Sequence, residues 1–65
     1  MNEVATIAFQ DASEHCEATA IVRASADCVA LALTLATSGD TEVVMSHEDA
    51  QKLHAALGGA LSTNR

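Results

Sequence analysis

The sequence predicts an α+β fold: a four-stranded antiparallel β-meander with one C-terminal α-helix packed on one face, in the order ββββα. Three observations carry this. Apolar residues alternate with period two in three segments, and a short apolar segment, TEVVM (41–45), follows them. Short polar runs separate those segments. From residue 47 the apolar spacing changes to three and four, the helical pattern. A chain of 65 residues has room for one domain, 1–65.

The first strand is predicted at about 3–9, where Ala5, Ile7 and Phe9 alternate with Val4, Thr6 and Ala8. The polar run QDASEH (10–15) ends it. The second, at about 16–24, sets Cys16, Ala18, Ala20 and Val22 against Glu17, Thr19, Ile21 and Arg23. After a short Ser-Ala-Asp turn, the segment 28–36 places Val29, Leu31, Leu33 and Leu35 on one face and Ala30, Ala32 and Thr34 on the other. It carries no charge, which suits a central strand. Its Ala and Leu content also favours helix. A helix, however, would stripe Val29, Leu33 and Ala36 and leave Leu31 and Leu35 outside, whereas a strand gathers all four large side chains. The strand reading is preferred.

Gly39 in the 37–40 turn is free to take a positive φ. A short fourth strand follows at about 41–45. Pairing Leu35 with Val43 and Leu33 with Met45 requires a three-residue connection, Ser38 to Asp40, and this register is expected. Ser46 is the expected N-cap of a helix at about 47–61, with Asp49 three residues on in a variant of the capping box. Glu48 and Asp49 sit in the first turn, where the helix dipole favours negative charge. Ala50, Leu53, Leu57 and Leu61 make the apolar stripe that is expected to cover the leucine face of the sheet. Residues 62–65 are expected to be a loose tail.

Composition narrows the function. Nine acidic residues against three basic ones leave a net charge of −6. Direct nucleic-acid binding needs cations to neutralise phosphates, and only Arg23, Lys52 and Arg65 are present. A protein partner with a basic surface is the better electrostatic match. No run reaches the roughly 18 apolar residues of a membrane span, and the start lacks the pattern of a secretory signal. A cytoplasmic protein with no membrane partner is therefore expected.

Chemistry-bearing constellations are sparse. Around the turn at 25–27, Cys16 and Cys28 fall at opposite ends of a hairpin, roughly 25 Å apart at about 3.3 Å per residue. A disulfide requires less than about 7 Å, so free thiols are expected. His15, Cys16, Cys28, His47 and His54 match no metal-ligand spacing, and no metal or cofactor is expected. Ser46, His47 and Glu48 have the chemistry of a catalytic triad, but adjacent helical residues point in different directions. No catalytic residue is assigned and an enzyme is not expected.

Two surfaces remain. The 10–15 loop and the 37–40 turn emerge at one end of the meander, so Asp11, Glu14, Glu17, Asp40 and Glu42 form a candidate acidic rim for partner binding. The sheet face away from the helix carries Thr19, Ile21, Ala30, Ala32, Thr34 and Val44, a smooth candidate face for a homodimer or a docked subunit. In size, charge and lack of chemistry, the whole chain resembles the small acidic inhibitors of phages and mobile elements, such as anti-CRISPR proteins and other DNA mimics. That resemblance implies stoichiometric inhibition of a nucleic-acid-guided defence complex, whose basic surface would meet the acidic rim. No shared motif carries it, so it assigns no role to any residue. The alternative is a structural or adaptor domain that dimerises or docks through the Ala/Thr-rich face.

Overall fold

A computed structural model describes residues 1–37 and 39–63. Four antiparallel strands form one open sheet in sequence order: β1 (Asn2–Gln10), β2 (Glu17–Ala24), β3 (Cys28–Leu35) and β4 (Gly39–Ser46). The helix α1 (His47–Thr63) follows directly. The chain thus has the expected ββββα arrangement, and residues 28–35 are strand rather than helix.

The pairing fixes two faces. On one lie Ile7, Phe9, Ala18, Ala20, Val22, Val29, Leu31, Leu33, Leu35, Val43 and Met45, brought into line by pairs such as Ile7↔Ala20, Ala20↔Leu33 and Leu31↔Val43. No position of this face carries a charge. The other face holds Thr19, Ile21, Arg23, Ala30, Ala32, Thr34, Asp40, Glu42 and Val44. Between Glu3 and Ala5 the β1–β2 register shifts, leaving Val4 as the extra residue of a bulge.

Turn chemistry explains the connections. Ser25 Oγ accepts hydrogen bonds from the backbone N–H of Asp27 (3.3 Å) and Cys28 (3.2 Å), and the Ser25 N–H donates to Cys28 O (2.9 Å). His47 Nε2 donates to Ser25 O (3.2 Å), tying the start of the helix to that turn. Ser46 Oγ accepts from the Asp49 N–H (3.1 Å), which is the expected N-cap.

Three expectations change. The β3–β4 register is not Leu35 beside Val43 and Leu33 beside Met45. Instead Leu35 pairs with Gly39, Leu31 with Val43 and Val29 with Met45. Gly39, at φ 84°, takes the left-handed conformation at the exit of the turn. The chain therefore reverses two residues earlier than a 38–40 connection would allow, and β4 starts at residue 39. The offset is even, so every side chain keeps its predicted face. Ser38, named in that expected connection, lies outside the described residues.

Second, the helix continues through Ser62 and Thr63, where a tail was expected; Thr63 Oγ1 donates to Gly59 O. Asn64 and Arg65, the rest of that tail, lie outside the described residues. Third, α1 covers the leucine face only in part: Val29 and Leu31 lie beside Leu53 and Leu57 and are half-buried, whereas Leu33 is exposed. It touches only β3 and β4, and none of its residues is buried. The core is correspondingly slight, with only Ala18 and Ala30 buried among the described residues. The leucine spacing makes one side of the helix apolar, but a junction with no linker after Ser46 decides which strands that side can reach.

Candidate functional site

The loop between β1 and β2 is held by its own backbone. The Asp11 N–H donates to Cys16 O and the His15 N–H to Asp11 O, both at 2.8 Å. Asp11 Oδ2 accepts from the Glu14 N–H at 2.6 Å, and Gln10 Nε2 donates to His15 O at 3.2 Å. His15 stands in the left-handed region at φ 59°, an uncommon conformation for a residue with a Cβ. This curl brings Asp11, Glu14 and Cys16 together, with one ligand atom of each within 4.8 Å of the others. Spacing rules for Cys and His do not group these residues, since the trio forms only once the loop closes. It mixes two hard carboxylates with a soft thiol, a donor set that favours no single metal.

The acidic rim is assembled in part. Asp11 is half-buried, and Glu14, Glu17, Asp40 and Glu42 are exposed. Glu17 opens β2 opposite Gln10, and its carbonyl accepts from the Ala36 N–H at 3.1 Å. Asp40 pairs with Thr34. Asp11, Glu14, Glu17 and Asp40 thus share one end of the sheet. Glu42 lies two residues further along β4 and accepts from Arg23 Nη1 at 3.3 Å, so its charge is answered within the molecule. The remaining acids, Glu3, Asp27, Glu48 and Asp49, stand toward the opposite end, which makes the molecule acidic at both ends. Lys52 lies 3.8 Å from Asp49 there.

The six residues expected to form a smooth interaction face do lie together. That face is less plain than its alanines imply. The Arg23–Glu42 pair crosses over β3, where Ala30 and Ala32 are small enough to leave room for it, and Ala30 is only 1% exposed. Val44 is exposed.

Cys16 sits just before β2 at one end of the sheet and Cys28 opens β3 at the other. Both are free and half-buried, and Cys16 Sγ lies 3.9 Å from Thr37 Oγ1. His47 and Ser46 are occupied with the turn contact and the helix cap already described.

Two concave regions lie on the helix side, and composition alone does not reveal them. One, of about 250 Å3, lies between sheet and helix and is lined by Val22, Val29, Leu31, Met45, Ala50, Leu53, His54 and Leu57. The other, of about 200 Å3, is lined chiefly by Phe9, Ala18, Leu33 and Leu35, with Asp11 at its edge. No helix among the described residues is long and apolar enough to cross a membrane. Compared with known proteins, the chain matches no family model, and neither a curated sequence nor a solved structure matches it.

Proposed function

We propose that the chain is a non-enzymatic binding protein in which the end carrying Asp11, Glu14, Glu17 and Asp40 occupies a basic, nucleic-acid-binding surface of a protein partner. The observation that carries this is the gathering of Asp11, Glu14, Glu17 and Asp40 at one end, while the described side-chain cations, Arg23 and Lys52, lie beside Glu42 and Asp49. Exposed carboxylates without a local counter-charge steer toward clustered Lys and Arg, the groups that otherwise hold phosphates. Stoichiometric inhibition of such a partner, in the manner of a DNA mimic, is the biological form this takes.

The carboxylates are not equivalent in this reading. Asp11 also caps its own loop and Glu42 is paired, so Glu14, Glu17 and Asp40 carry the interaction. Host proteins retained on the immobilised chain should be released by high salt and by added duplex DNA. They should not be retained by the triple variant Glu14→Lys/Glu17→Lys/Asp40→Lys. Retention that survives the salt, the competitor and the triple variant would refute the reading. Loss on Ala32→Glu with little salt dependence would instead support an adaptor that docks through the Ala/Thr-rich face, where Val44 stands exposed.

A further inference from the structure

The helix-side face of the sheet is open along β1 and, toward the 37–40 turn, on β3 and β4, where Val43 is 53% exposed. Ile7 and Phe9 on β1 are 53% and 45% exposed, and Leu33 on β3 is 47% exposed. The helix stripe is uncovered progressively, from 38% exposure at Leu53 to 58% at Leu57 and 74% at Leu61. Between the large residues of β1 and β3, β2 offers only Ala18 and Ala20 toward its outer end. That makes a valley, and the depression beside Phe9, Leu33 and Leu35 is its mouth.

The overall dimensions agree. A folded monomer of 6.7 kDa is expected to expose about 3,900 Å2, and this chain exposes 4960 Å2. The excess, about 1,000 Å2, is close to the roughly 800 Å2 each partner gives to a standard interface. The radius of gyration is 13.0 Å, against about 11 Å for a compact chain of this length. The smallest extent is only 16 Å.

We propose that a second copy of this chain covers this face. The Leu57–Leu61 edge of each helix lies in the alanine valley of the other sheet, so that two helices side by side roof each sheet, one from each chain. Strands about 4.8 Å apart place the β1–β2 and β3–β4 halves about 10 Å from each other, the usual spacing of packed helices. Three observations select a second copy over another occupant. The sheet positions on this face are uncharged, and Asp11 at the mouth of the valley, half-buried and bonded to the Glu14 N–H, is the one carboxylate beside them. Each chain has one exposed leucine ridge and one unfilled valley, which a two-fold axis matches reciprocally. The excess area is what such a pair needs.

Sedimentation equilibrium should give twice the 6.7 kDa chain mass. Leu61→Glu should reduce it to one chain with the far-ultraviolet circular dichroism unchanged, because Leu61 adds little to the isolated fold. Val44→Glu, on the opposite face, should leave the pair intact. A mixture of isotope-labelled and unlabelled wild-type chains provides a readout independent of any variant's folding. Intermolecular NOEs are expected from the Leu57 and Leu61 methyls to Phe9 and Ile7. A single-chain mass at high concentration overturns the proposal, as do intermolecular NOEs confined to Thr19, Ala32 and Val44. So does a pair broken by Val44→Glu and not by Leu61→Glu.

Discussion

Ser46 ends β4 and begins the helix, and its hydroxyl oxygen satisfies one of the backbone donors that a helix leaves free in its first turn. Ser46→Ala removes that acceptor and should lower the unfolding free energy by about 1 kcal/mol. A urea titration should show a lower midpoint with an unchanged slope. Ser46 and Gly39 were legible because their roles are local: a cap or a left-handed turn residue is recognised from neighbours in the chain. The meeting of Asp11, Glu14 and Cys16 was not legible in that way. It goes with His15 adopting φ 59°, a conformation that histidine takes more often than most residues but that is uncommon even for it. The carboxylates illustrate the same limit. The meander places Asp11, Glu14, Glu17 and Asp40 at one end, but Arg23 reaching over β3 to Glu42 follows from no pattern in the sequence.

At the scale of elements, period-two alternation located the first three strands, and collecting Val29, Leu31, Leu33 and Leu35 on one face correctly separated strand from helix in β3. Register was harder, because it depends on where a turn has its centre. Several turn-forming residues between 36 and 40 allow more than one centre, and Gly39 decides it. The helix stripe was equally visible, though its spacing says nothing of the distance to the sheet. Gly59 lies on the side of the helix away from the leucines, and a Cβ added there meets nothing within 4 Å. Gly59→Ala should therefore raise stability by up to about 1 kcal/mol through helix propensity alone. Thermal unfolding followed by circular dichroism should show a higher midpoint, and the mass in solution should not change.

The whole molecule is a thin slab, 35 × 30 × 16 Å, with large apolar side chains in the open on its helix side. Two buried alanines make a small core, and a single layer of sheet shields little of its own surface. On the proposed pairing, a second copy supplies much of the hydrophobic stabilisation. Linkage makes that measurable: a species that binds only the folded chain raises the melting temperature as its concentration rises. Calorimetry across a hundredfold dilution should show the transition falling as the protein is diluted. A transition independent of concentration would mean that the slab is stable alone.

A sheet with two free borders could, in principle, keep adding neighbours sideways without end. The extra residue at Val4 works against this at the β1 border. It throws the backbone out of step with any straight strand laid alongside, and the misfit would recur at every repeat of a growing ribbon. Straightening that kink by deleting Val4 should therefore make the protein more prone to fibres.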